Sequence, residues 1–216
     1  MTFFRILLVA IVLAVAQQPT TVVAEVPSEQ KAVLITGAST GLGRAMAELI
    51  ASKGHFVYAG ARKDRDIAEL NAIENIQAVR LDVTDQAQID AAVKTITEAG
   101  RGLHGLINNA GVAIVYPLAQ TPDSEMQFLM DVNLYGPFRV TKAFAPLIIA
   151  AKGRISTTGS ISGILSGPMF GPYSMSKHAM EAFTDSLARE MEPAGVQVSI
   201  IEPGNYESRI GDSLLS

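Results

Sequence analysis

From residue 31 onward the apolar positions fall into two kinds of run that take turns along the chain. Short unbroken runs read as strands: Lys31-Ala-Val-Leu-Ile-Thr36, Phe56 to Ala59, Ala78 to Leu81, Leu106 to Asn108, Arg154 to Thr157 and Val196 to Ile201. Between them lie stretches at helical spacing: Arg44 to Ser52 (stopped by Gly54), Asp85 to Ala99, Thr121 to Ala151 and Pro172 to Met191. Thr121 is placed to cap the third of these, with Pro122 at the first helical position, where its missing N–H costs nothing. Unbroken apolar strands separated by helices predict a parallel sheet covered on both faces. Right-handed crossovers then leave a doubly wound α/β sheet of six strands as the expected fold, in a single domain over 30–216. Ligands of such sheets bind beyond the carboxyl ends of the strands.

The pattern before residue 25 is different. After Arg5 an apolar run from Ile6 to Ala16 ends at Gln17-Gln18-Pro19. It is far shorter than the roughly 20 residues that a spanning helix needs. A basic start, a short apolar stretch and Ala14-Val15-Ala16 fit a secretory signal cleaved after Ala16, and Val22-Val23-Ala24 offers a second cut. Residues up to Ala16, or up to Ala24 if the second site is used, are therefore expected to be removed on export, placing the protein in the periplasm or outside the cell. An uncleaved membrane anchor and a mis-assigned start codon, which would leave the protein cytoplasmic, are the alternatives.

Composition narrows the chemistry. The chain has 216 residues, 48% hydrophobic, with a formal net charge of −4 and no basic block, so no nucleic-acid partner is expected. It contains no cysteine, which excludes disulfides and thiolate chemistry. His55, His104 and His178 are too scattered to suggest a metal site, and none is expected.

Three features carry chemistry. Thr36-Gly37-Ala38-Ser39-Thr40-Gly41-Leu42-Gly43 follows the first strand and opens the first helix. A pyrophosphate needs a tight turn, a backbone clear of side chains and free amides at a helix N-terminus, and Gly37, Gly41 and Gly43 suit this. Tyr173 and Lys177 stand four residues apart, on one face of a helix. Moving a hydride at a carbinol carbon requires a group for the hydroxyl proton, and a neighbouring ammonium favours tyrosinate. Ser160, thirteen residues before Tyr173, offers a hydroxyl at a strand end. It could hold a substrate oxygen, or simply cap a turn.

Together these motifs resemble the short-chain dehydrogenase/reductase superfamily, single-domain type. The resemblance includes TGASTGLG at 36–43, Leu81-Asp82-Val83, Asn108-Asn109-Ala110-Gly111, Asp131-Val132-Asn133, Ser160, Tyr173/Lys177 and Pro203-Gly204. It implies a Rossmann-type fold with Thr36, Gly37, Ser39, Thr40, Gly41, Leu42 and Gly43 around the cofactor phosphates. Tyr173 would be the acid/base, Lys177 would lower its pKa and hold the nicotinamide ribose, and Ser160 would orient the substrate. Asn133 would hold a water in the proton relay. Asp82 and Val83 would meet the adenine, Asn109, with Ala110 and Gly111, would steady the sheet beside the cofactor, and Pro203-Gly204 would lie along the nicotinamide. Asn109 and Asn133 could instead serve purely as caps.

The second strand ends Ala59-Gly60-Ala61-Arg62-Lys63, with alanine where an acid would bind the ribose hydroxyl of NAD. Arg62 suits a 2′-phosphate, so NADP is the expected cofactor ahead of NAD. The segments around 178–190 and 196–204 look most like the retinol and hydroxysteroid dehydrogenase branch, implying a small hydrophobic alcohol or carbonyl substrate. A homodimer or homotetramer through the helices near Asp123–Ile149 and Pro172–Met191 is expected by resemblance alone. Family members continue past Pro-Gly with a substrate lid and a seventh strand, whereas this sequence stops at Ser216. A catalytically weak cofactor-binding module is therefore the competing reading. A sugar-nucleotide epimerase would favour a TGxxGxxG turn, which is not here.

Overall fold

The computed structural model describes residues 30–204. The segment expected to be a signal, 1–24, and the residues after Gly204, where a lid would begin, lie outside the described residues.

Six strands form one sheet: β1 (Ala32–Ile35), β2 (Phe56–Ala61), β3 (Ile76–Arg80), β4 (Gly105–Asn108), β5 (Arg154–Thr158) and β6 (Gln197–Ile201). All pair in parallel, in the order β3-β2-β1-β4-β5-β6. The doubly wound expectation holds, and the strand order reverses between β1 and β4, where such sheets open a crevice. Alternation along β1 shows why its sequence is apolar at every position. Ile35 packs with Ala47, Ala51, Val57 and Leu70 on one face, and Leu34 packs with Ile89, Ile96, Leu106 and Phe144 on the other.

Six α-helices flank the sheet: α1 (Gly41–Ser52), α2 (Asp64–Asn71), α3 (Gln86–Glu98), α4 (Asp123–Met130), α5 (Gly136–Ala150) and α6 (Gly171–Met191). None of the described helices is long and apolar enough to cross a membrane. The apolar pattern does not announce α2. Its eight residues, DRDIAELN, bury chiefly Leu70 and Asp66, too little for a readable stripe.

The stretch expected as one helix from Thr121 to Ala151 is divided. A 3-10 turn (Leu118–Gln120) precedes α4, and a π-turn (Asp131–Tyr135) separates α4 from α5. Thr121 does not cap. Pro122 is the residue before the first turn of α4, and the Thr121 hydroxyl donates to the Pro117 carbonyl at 3.3 Å. The chain arrives through the 3-10 turn, which draws the hydroxyl backward. The π-turn widens the helix by one residue and carries Asn133, 2% exposed, toward α6.

Candidate active site

A cleft of about 670 Å³ runs along the carboxyl ends of the strands, from the glycine turn to Pro203 and Gly204. At its first end the walls are backbone. Gly37 and Gly41 have φ of +63° and +57°, in the left-handed region that glycine enters without strain. A Cβ on Gly43 would stand 2.3 Å from the Gly37 carbonyl oxygen and 2.5 Å from Asn109 Nδ2. Only hydrogen fits there. Thr40, before the first turn of α1, makes no side-chain cap, and that turn contains no acid. Its amides meet the cleft beside Ser39, Gly41 and Leu42, a fitting berth for an anion.

Thr36, expected among the cofactor-binding residues, is corrected to a buried support at 1% exposure, outside the cleft lining. Its Oγ1 accepts from the Asn109 and Ala110 amides, each at 3.0 Å. Asn109 answers by donating from Nδ2 to the Thr36 and Gly37 carbonyls at 3.0 and 3.2 Å. Thr158 Oγ1 donates to Asn109 Oδ1 at 3.3 Å. These bonds tie the ends of β1, β4 and β5 together, so Asn109 braces the glycine turn from behind.

Beyond the turn, Arg62, Asp82 and Val83 line the cleft. Arg62 Nη1 lies 3.6 Å from Asp82 Oδ2. Burial pushes the Asp82 carboxyl upward, but hydrogen bonds from Thr84 and the nearby Arg62 outweigh it and hold the group below its usual range.

The other end is made of buried side chains. Lys177, 5% exposed, donates from Nζ to the Thr158 carbonyl at 2.8 Å and lies 5.6 Å from the centre of the Tyr173 ring. Burial lowers its pKa to about 8. Burial also raises the Tyr173 phenol, while a hydrogen bond with Ser160 pulls it back. Burial prevails, and the phenol is held above its usual range. Ser160 caps a 3-10 turn, Ile161–Gly163, by accepting from the Ser162 amide at 3.1 Å, and its hydroxyl also bonds Tyr173.

Asn133 does not line the cleft, and its side-chain amide is fully engaged. Oδ1 accepts from the Val112 amide at 2.8 Å, and Nδ2 donates to the Val112 carbonyl at 2.8 Å and to Ser176 Oγ at 3.0 Å. Ser176 in turn donates to the Tyr173 carbonyl at 2.7 Å. The side chain of Asn133 thus fixes the loop after Gly111 and the helix that carries Tyr173. Ser176 was not foreseen, and its place directly before Lys177 was the one signal available. Ala110 and Gly111 line the floor between the two ends. The Pro203 carbonyl accepts from the Ile161 amide at 3.1 Å, closing the far wall. Ile161 and Phe170 line the mouth, and Ile164, Leu165 and Met169 stand exposed in the same loop.

A nicotinamide dinucleotide fits these residues: an uncapped helix start and close glycines at one end, and buried proton-handling groups at the other. Comparison with known proteins agrees. The family model described as short chain dehydrogenase matches residues 31–215. The chain is similar to the mitochondrial D-beta-hydroxybutyrate dehydrogenase of Mus musculus, 37% identical over 186 residues, covering 82% of this chain and 54% of that protein. It is similar to retinol dehydrogenase 5 of Mus musculus at 38% identity, covering 85% and 59% respectively. Among solved structures, a short chain dehydrogenase/reductase from Burkholderia phymatum in complex with NAD superposes with a TM-score of 0.81 at 32% identity. It covers 85% of this chain and 69% of that one. The chain thus spans little more than half the length of the curated relatives first matched.

Proposed function

This chain belongs to the short-chain dehydrogenase family, and we propose on that premise that it is an NADP-dependent oxidoreductase interconverting a hydrophobic alcohol and its carbonyl. One observation carries this reading: Ser160, Tyr173 and Lys177 converge at one end of the cleft that begins at the glycine turn. A bound nicotinamide supplies or takes the hydride. In reduction, Ser160 and Tyr173 hold the carbonyl oxygen by their hydroxyls, and Tyr173 delivers the proton it carries. In oxidation the proton returns to Tyr173, with the Lys177 ammonium favouring the phenolate.

Arg62 supports NADP over NAD, since Ala61 leaves no acid for a free ribose hydroxyl and a guanidinium binds phosphate through paired bonds. The apolar mouth at Ile161 and Phe170 supports a hydrophobic substrate, as does likeness to a retinol dehydrogenase. Exposed Phe128, Tyr135 and Phe138 support assembly into a dimer through α4 and α5. Export through residues 1–24 belongs to the same proposal.

The test is turnover of a panel of hydrophobic ketones with NADPH and NADH, with cofactor binding measured separately. NADPH-dependent reduction of apolar ketones supports the reading. Cofactor binding without turnover of any substrate would instead mark a binding module.

A further inference from the structure

Arg62 is the residue to which the NADP reading is assigned, yet its guanidinium already has an anion beside it. Asp82 is the fixed member of the pair. Its backbone amide donates to Gln88 Oε1 at 3.0 Å, and its Oδ1 accepts from the Thr84 amide and hydroxyl at 2.9 and 2.7 Å. Those bonds leave Oδ2 turned to Arg62 at 3.6 Å. Arg62 is fixed only at its backbone, where Arg80 Nη1 donates to its carbonyl at 2.5 Å. Its side chain is 64% exposed, with the Asp82 carboxylate as its neighbour. A 2′-phosphate read by Arg62 must therefore draw the guanidinium away from a carboxylate that cannot follow.

We propose that Asp82 is a specificity-determining residue, whose carboxylate competes with a 2′-phosphate for Arg62 and so restrains the preference for NADP over NAD. The inference rests on the reading of Arg62 as the phosphate-binding group. Contacts of Asp82 with the adenine are common to both cofactors and cancel in the ratio of their affinities. The restraint does not cancel, because only NADP asks for the guanidinium. Exposed ion pairs contribute about 0.2–1 kcal/mol, which sets the expected change in that ratio at up to roughly fivefold.

The experiment is a double-mutant cycle read by binding alone, with NADPH and NADH titrated by cofactor fluorescence at fixed ionic strength. The proteins are the unsubstituted chain, Arg62→Ala, Asp82→Asn and the double variant. Asparagine keeps an acceptor for Thr84, so the turn survives. Asp82→Asn should raise the NADPH-to-NADH affinity ratio by up to roughly fivefold. That gain should vanish in the Arg62→Ala background. An unchanged ratio in Asp82→Asn, while Arg62→Ala still weakens NADPH selectively, overturns the inference and leaves the NADP reading standing. A gain that persists without Arg62 also overturns it, because Asp82 would then act on the phosphate directly. Equal losses of both cofactors in Arg62→Ala sink the NADP reading itself, and this inference with it.

Discussion

At the glycine turn, recognition is left to backbone amides, to the absence of Cβ atoms and to an exposed guanidinium. Further along the strand ends, the same cleft is closed by Lys177, Ser160, Tyr173 and, behind them, Ser176 and Asn133, all buried. The first end can be altered one contact at a time, since water replaces what is removed. The second cannot, because each buried polar group needs its partner and loses a desolvation penalty's worth when the partner goes. Affinity and cofactor choice should therefore respond to changes at the first end, and chemistry and stability to changes at the second.

The sharpest challenge to that division is Tyr173→Phe. Removing one hydroxyl should leave cofactor binding intact and lower the hydride step by roughly 10²–10⁴-fold, as loss of general acid–base catalysis does. Single-turnover kinetics beside a binding titration would check it, and near-normal turnover would mean that another group handles the proton.

Lys177 tests the same end through pH. Its pKa in the fold is about 8, below the 10.5 of a free lysine. The unfolded chain thus binds its proton more tightly, so the lysine's burial cost is fully present below pH 8 and is relieved as pH climbs toward 10.5. The stability of the cofactor-free protein, relative to Lys177→Met, should rise over that window by up to about 3 kcal/mol. Denaturant melts at several pH values would show it, and a flat difference would place the ammonium in contact with water.

Asn133→Ala should cost about 2–3 kcal/mol of stability, because it strands the Val112 amide and carbonyl in the interior. A chemical melt measures this, and a loss under 1 kcal/mol would mean that water reaches the π-turn. The smallest expected effect belongs to the other end. Arg62→Ala should weaken NADPH binding by about 1.5 kcal/mol, the low end for a charge-assisted contact, and NADH binding by far less. Its stability should not change.

Much of this was legible along the chain. Helix spacing placed Tyr173 and Lys177 on one face, and the strand–turn–helix context singled out the glycines, because both are local relations of a few residues. The fold class followed from unbroken apolar strands, a signal that burial on both faces imposes directly. The division of the stretch over 121–151 was not legible: a π-turn differs from the helix around it by one residue, and the bond from its Asn133 to Ser176 of α6 spans 43 residues. Asn133 and Thr36 were found by motif, but the bonds that fix them were not legible. Their neighbours in sequence say nothing of the Val112, Ser176 and Asn109 groups that they bond across 21 to 73 residues.

By itself, then, the sequence determined the candidate residues and the sheet that presents them, since periodicity and short spacings are properties of the chain alone. Only the tertiary structure decided which hydroxyls and amides face the cleft and which brace it from behind. It also decided that burial raises the Tyr173 phenol while lowering the Lys177 ammonium, and that Arg62 meets Asp82. Burial, and the distance between groups far apart in sequence, set all three, and neither exists until the strands are side by side.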